Sequence, residues 1–320
     1  ESGKLHAYHF VKSPRGLIIV DTGKDSTPTN QLTKVLAHHG YEPNDITLVL
    51  FTHADADHIG GNHSLRNLNP EVLYGAHEAD IPFIESKDYI IEHRYRQFEE
   101  YGISYDDEIH DLIDGMMKTD EPVDCRLTGG ESFFLDQSTL IRTIHLPGHS
   151  AGHLGFYSNG STSVLMAGDA VYPEGAFTVG GEPIQPPPYE NLKSYLYSID
   201  RIKQLNPDVL LLSHFDPLRG SDLDSFLERA RNWVREFHRF LVDYLTGQSQ
   251  PVGLPEIINR YTETHPPVGL EEDLAYPAVA HLEYCRQSHV YEAVEDRSND
   301  IPRFSINIRT NKEHDSLYSS

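Results

Sequence analysis

Four side chains able to bind a metal, His53, Asp55, Asp57 and His58, fall within six residues, directly after the apolar run Ile46-Thr47-Leu48-Val49-Leu50-Phe51. Two imidazoles and two carboxylates crowded at the end of a buried strand repel one another and lose hydration unless a cation lies between them. Further candidates come in order along the chain. His149 sits in the turn Leu146-Pro147-Gly148-His149, Asp169 follows the apolar stretch Ser163 to Ala167, and His214 follows Val209 to Leu212. Each stands at the end of an apolar segment, so a layered sheet could carry all of them to one edge. Two divalent cations held about 3.5–4 Å apart can lower the pKa of a shared water and clamp a developing oxyanion. The sequence contains no well-formed motif for a Ser or Cys nucleophile.

The elements that must position these residues read as alternating strands and helices. Leu5 to Phe10 alternates like a half-buried strand, and Lys12 to Gly16 is turn-like. Gly16 to Gly23 reads as a more buried strand ending in a loop, and Thr29 to Gly40 has helical spacing that stops at Gly40. The strand Ile46 to Phe51 leads into the His/Asp cluster, and Leu65 to Asn67 reads as the end of a short helix. Val72 to Tyr74 is another short strand. Residues 79–126 change character: Ile84, Ile91, Tyr95, Phe98, Ile109, Leu112, Ile113 and Met116 recur at helical intervals, a helical insertion able to roof a pocket. Strand signals return at Leu127 to Phe134, Thr139 to Leu146, Gly155 to Ser158 and Ser163 to Ala167. Gly180 to Tyr189 is a proline-rich loop, Tyr195 to Leu205 a helix and Val209 to Leu212 a strand. This is an α/β layered plan. The expected division is a catalytic domain over 1–220, a C-terminal helical region over 221–295 and a flexible tail over 296–320. Within the helical region, Asp222 to Leu245 is amphipathic and Glu271 to Val294 looser.

Bulk properties narrow the function. The chain has 320 residues, 38% of them hydrophobic, enough for a large core. Its formal charge of −23, from 49 acidic against 26 basic residues, opposes binding to nucleic acid and to anionic membranes. Arg94 and Arg96, and Arg229, Arg231 and Arg235, alternate with acids and read as solvated helix faces rather than a basic groove. No apolar run approaches the roughly 20 residues needed to span a bilayer. Glu1-Ser2-Gly3-Lys4 lacks an apolar signal core and reads as a processing end. Cys125 and Cys285 cannot make a disulfide framework, which sets a cytoplasmic, reduced location as the expectation for this acidic protein.

The ordered set His53-x-Asp55-x-Asp57-His58, His149, Asp169 and His214, flanked by Val20-Asp21-Thr22-Gly23 and Ile59-Gly60-Gly61-Asn62, resembles the metallo-β-lactamase-fold hydrolases over roughly residues 5 to 220. The resemblance implies an αββα sandwich with a helical insertion and a C-terminal helical extension. It also implies a binuclear site, with His53, Asp55 and His149 on one ion, Asp57, His58 and His214 on the other, and Asp169 bridging. Zn2+ is the expected ion. Asp55 stands where most relatives carry His. Three carboxylates and a bridging hydroxide then balance two dications, leaving the site neutral where the all-His pattern is positive, and harder in ligand character. Mn2+ or Fe2+ should be accepted more readily for that reason. Asp57 could orient the hydroxide or take its proton, and so is the expected catalytic residue.

On this reading the protein is a metal-dependent hydrolase in which a metal-bridging hydroxide attacks an ester-like bond. The substrate is a small molecule, a thioester or lactone, as in the hydroxyacylglutathione hydrolases that the pattern resembles. The same resemblance leaves other readings open. They are a phosphodiesterase or ribonuclease, an iron-dependent oxidoreductase, and a binder that keeps its metals without catalysis. The C-terminal helices fit either a packing cap or a homodimer face.

Overall fold

In the computed structural model, residues 6–118, 120–135, 139–298, 300–309, 315 and 317 are described. Two five-stranded sheets stack face to face and carry helices on both outer sides, an αββα sandwich. The first sheet runs in spatial order β1 (His9–Ser13), β2 (Gly16–Val20), β3 (Ile46–Leu50), β4 (Leu73–His77) and β5 (Cys125–Leu127). Only β1 is antiparallel to its neighbour; the rest are parallel, as connections through helices require. Those connections hold α1 (Thr33–His38), α2 (Ala56–Ile59) and α3 (Asn62–Leu68). Residues 79–126 supply α4 (Ile81–Glu85), α5 (Lys87–Ile90), a turn of π-helix at Ile91–Tyr95 and α6 (Asp107–Met116).

The second sheet contains β6 (Ser132–Phe134), β7 (Leu140–His145), β8 (Leu154–Asn159) and β9 (Ser163–Met166) as an antiparallel meander. A short hairpin, β10 (Ala176–Phe177) with β11 (Pro183–Gln185), and the helix α7 (Leu192–Leu205) then lead to β12 (Val209–Leu211). β12 returns parallel to β9. The proline-rich stretch expected as plain loop therefore includes one strand of a hairpin.

Strand alternation sorts side chains into layers. Ile18 and Val20 of β2 join Leu50, Leu154, Phe156 and Met166 in the core between the sheets. Leu17 and Ile19 point the other way, into the core under α1 to α6. The far side of the second sheet, including Ile144, Leu165 and Leu210, packs against α7 and the C-terminal helices. These are α8 (Gly220–Thr246), α9 (Leu254–Thr264) and α10 (Ala275–Gln287). One face of α8 buries Leu223, Phe226, Leu227, Ala230, Val234, Phe237 and Leu241, spacing that matches its helical period.

Three expectations change. The first strand is His9–Ser13 rather than Leu5 to Phe10, because the Ala7 N–H bonds to the Ser213 carbonyl instead of a sheet neighbour. Residues 221–295 are not wholly helical. After α10 the chain forms β14 (Tyr291–Asp296), which pairs with β15 (Arg303–Ile308), while β13 (Val252–Gly253) joins the other edge of β15. The stretch expected as a flexible tail from 296 thus supplies β15, whose Phe304 and Ile306 are buried. Beyond Arg309 only Asp315 and Leu317 are among the described residues, and the rest of the expected tail lies outside them. No helix among the described residues is long and apolar enough to cross a membrane.

Candidate metal centre

β3 delivers the Thr52–Asp55 turn, and α2 then carries Asp57 and His58. The β7–β8 turn presents His149, the turn after β9 presents Asp169, and the segment after β12 presents His214. All seven side chains singled out in the sequence meet at this edge of the sandwich. The rings of His53 and His58 are 4.0 Å apart and those of His53 and His149 4.5 Å. Asp169 Oδ2 lies 3.1 Å from His214 Nε2 and 3.5 Å from His58 Nε2. Asp57 Oδ2 is 3.8 Å from His214 Nε2, and Asp55 Oδ2 is 3.0 Å from His149 Nε2. Two glycines permit the approach. A Cβ on Gly60 would sit 2.0 Å from the Met116 carbonyl, and Gly148 (φ 137°) presses against the backbone of Tyr195.

Other residues fix which ring nitrogen faces inward. Asp21 ends β2 in the left-handed region (φ 61°) and accepts from Thr52 N–H, Thr52 Oγ1 and His58 Nδ1. His149 Nδ1 is 2.6 Å from the Pro188 carbonyl, and His53 Nδ1 is 2.9 Å from Thr52 Oγ1. The Asp169 N–H donates to His153 Nε2, so that histidine braces the Asp169 turn rather than facing the cluster. Tyr172 is fully buried, and its hydroxyl donates to Asp169 Oδ2. Outer-layer contacts of this kind orient metal-binding imidazoles and carboxylates.

The donor atoms fit a divalent cation. One ligand atom each from His6, Asp57, His58 and His214 gather within 4.8 Å of one another, and so do atoms from His53, His149 and Asp169. His53 Nε2, His58 Nε2 and Asp169 Oδ1 are buried and make no hydrogen bond. Polar atoms left this way are costly unless something else binds them. The electrostatics agree. Burial, reinforced by His58 and His149, pulls His53 down to about 4. Burial also opposes charge on His58 and Asp169, yet their mutual attraction outweighs it. His58 is held well above the usual histidine value by Asp169, Asp57 and Asp21, and Asp169 well below the carboxylate range by His214 and His58. The carboxylates around His58 thus favour positive charge there, while His53 is held neutral with its Nε2 lone pair free to bind a cation.

Two residues at the centre were not legible as such. His6 reaches it because the Ala7–Ser213 bond places its ring 4.7 Å from that of His214. Arg94, expected on a solvated helix face, is 5% exposed. Its Nε is 2.7 Å from Asp55 Oδ1 and its Nη2 3.0 Å from Asp55 Oδ2, a two-point grip. Nη1 also bonds Glu190, and the guanidinium lies 4.9 Å over the Tyr276 ring. The π-helical turn at Ile91–Tyr95 aims it inward. Burial opposes charge on Asp55, but Arg94 and His149 hold its carboxyl well below the usual range. Arg94 therefore returns the positive charge that aspartate at position 55 removes. By contrast Arg229, Arg231 and Arg235 pair with Glu174, Asp200 and Glu228 on the surface.

A cleft of about 750 Å³ opens over Asp55, Asp57 and Asp169. Ile109, Leu112, Ile113 and Met116 of α6 form one wall, and Ile184 and Leu270 stand on another. The insertion thus borders the cleft, and so does β11 of the hairpin. Tyr189 points away, donating towards His281 beneath α8.

Comparison with known proteins gives the same outline. The family model for the metallo-beta-lactamase superfamily matches residues 5–214. A metallo-beta-lactamase family protein from Thermus thermophilus superposes with a TM-score of 0.70 at 21% identity, over 94% of this chain and 93% of its own. A beta-lactamase domain protein from Burkholderia ambifaria gives 0.69 at 19% identity, over 94% of this chain and 86% of its own. Both matches extend beyond residue 214, so the C-terminal elements are largely shared. The lactamase-like protein aptB of Emericella nidulans is 25% identical over 248 residues, 77% of this chain; the match spans 61% of that relative's length.

Proposed function

Because this chain belongs to the metallo-beta-lactamase superfamily, we propose that it is a metal-dependent hydrolase of an ester-like bond, a thioester or lactone with an apolar acyl portion. The observation that carries the reading is the union of two features at one place. A cluster of imidazoles and carboxylates, some with unbonded buried donor atoms, forms the floor of a cleft whose walls are apolar.

Asp57, His58 and His214 would hold one cation, with His6 beside them, His53 and His149 would face a second position, and Asp169 is within reach of both sets. A divalent ion bound there supplies Lewis acidity for the carbonyl and lowers the pKa of water. The chain's own residues do the rest. Asp57, about one-fifth exposed, reaches the cleft and is placed to take a proton. Asp21, His153 and Tyr172 keep the acceptor and donor atoms aimed. The α6 wall packs the acyl group and excludes water.

The charge pattern supports this reading over phosphodiester cleavage. Of the two cationic residues that line the cleft, Arg94 is already committed to Asp55 and Glu190, which leaves Lys24 as a single charge beside the carboxylates Asp55, Asp57 and Asp169. The test is a hydrolysis panel of thioesters, lactones, β-lactams and phosphodiesters with Zn2+, Mn2+ or Fe2+. We expect thioesters or lactones to be preferred and Asp57→Ala to lower their turnover about 100-fold or more. Undiminished turnover by Asp57→Ala would falsify the role given to that residue, and preferred cleavage of phosphodiesters would overturn the substrate class.

A further inference from the structure

We infer that Arg94 is the resident cation of the His53–His149 half of the centre, so that a divalent ion is held more weakly there than beside Asp57, His58 and His214. The inference rests on the metal-binding reading above and concerns how unequal the two halves are.

Three contacts carry it. Arg94 engages both oxygens of Asp55, at 2.7 and 3.0 Å, so the carboxylate that could serve a metal is already shared with a cation. Its Nη2 also lies 3.3 Å from His149 Nε2. With His149 Nδ1 directed at the Pro188 carbonyl, Nε2 is the nitrogen left for a metal, and the guanidinium stands against it. Finally, the arginine is fixed. Nη1 bonds Glu190 and reaches the His149 carbonyl, the Tyr276 ring lies beneath the guanidinium, and the Tyr276 hydroxyl donates to the Arg94 carbonyl. A guanidinium stays charged at any working pH, so it opposes a dication at this spot under all conditions. The opposite half is different. There carboxylates rather than a guanidinium stand against the imidazoles, with Asp169 Oδ2 3.5 Å from His58 Nε2 and 3.1 Å from His214 Nε2.

The arrangement also explains why aspartate is tolerated at position 55. A neutral imidazole is replaced by a carboxylate whose charge Arg94 offsets, although the same guanidinium is shared with Glu190. The pair differs from an imidazole in that half of it repels the incoming ion.

The experiment counts metal per chain by elemental analysis, using the purified full chain equilibrated with Zn2+ and then dialysed against graded chelator. The wild type should release its ions in two classes, one much weaker than the other. Arg94→Gln should tighten the weaker class by at least about tenfold. A unit charge some 5 Å from a dication gives a change of that order even at the dielectric constant of water. Arg94→Met, uncharged and similar in reach, carries the same expectation should the glutamine variant fold poorly. Two ions leaving together from the wild type would overturn the inference while leaving the hydrolase reading intact. So would a weaker class that is unchanged or loosened in either variant. A wild type that retains no divalent ion at all would sink both.

Discussion

Asp21 Oδ2 lies 2.9 Å from His58 Nδ1, and through that contact a residue at the end of β2 sets the direction in which a histidine of α2 presents its Nε2. Asp21 can do so because its backbone adopts φ 61°, a conformation that aspartate and asparagine tolerate better than most side chains. Asp21→Asn should therefore keep the turn while weakening the grip on the imidazole. We expect metal affinity to fall about 10- to 100-fold with little loss of folded-state stability. Metal titration beside a thermal melt checks this; unchanged affinity would remove Asp21 from the positioning role.

Asp80 braces the His149 turn from below, accepting from Ser150 Oγ and the Gly152 N–H. Burial raises its carboxyl from 3.8 to about 6, against the pull of those two donors. The folded state thus holds this proton more tightly than the unfolded chain. The resulting stabilisation is complete below about pH 3.8 and is lost as the pH climbs through about 6. Asparagine at this position cannot ionise. The stability of Asp80→Asn relative to wild type should shift in the variant's favour by about 2 kcal/mol between pH 4 and pH 7. Denaturant unfolding at both pH values measures it, and a difference that does not move with pH contradicts the assignment.

Leu112 is half exposed on the cleft wall, so it contributes little to the core and much to whatever lies in the cleft. Leu112→Asp should leave folding stability within about 0.5 kcal/mol of wild type. For substrates with apolar acyl groups it should raise KM about tenfold. Steady-state kinetics on an acyl-length series reads the effect, which should vanish for acetyl substrates too short to touch α6.

Asp315 closes a buried polar network beneath the C-terminal helices. Its oxygens accept from Tyr284, Tyr291 and His238, and His238 is 3.0 Å from His281, which meets the Tyr189 hydroxyl. Removing the acceptor strands several buried donors at once. Asp315→Ala should cost about 3 kcal/mol or more in chemical unfolding. A loss below about 1 kcal/mol would show that water replaces the carboxylate at no real expense.

What the sequence by itself determined is the layered plan and the seven positions that gather at one edge. Both arise from local chemistry. The continuous apolar run in Gly16–Val20 and the helical spacing in Asp222–Leu245 report burial directly, and a polar cluster after an apolar strand can only lie at that strand's end. What the tertiary structure alone decided are contacts between segments far apart in the chain. Arg94 looked like one charge among many on a helix, since nothing near it in sequence says that Asp55, 39 positions earlier, is its partner. His6 looked like a strand residue until the Ala7–Ser213 bond carried it to His214. The final strand at Arg303–Ile308 carries its own alternation, Phe304, Ile306 and Ile308 against polar neighbours, but its partners β13 and β14 lie elsewhere in the chain. Periodicity encodes which face of an element is buried, but the identity of the group waiting on the other side is a property of the folded chain.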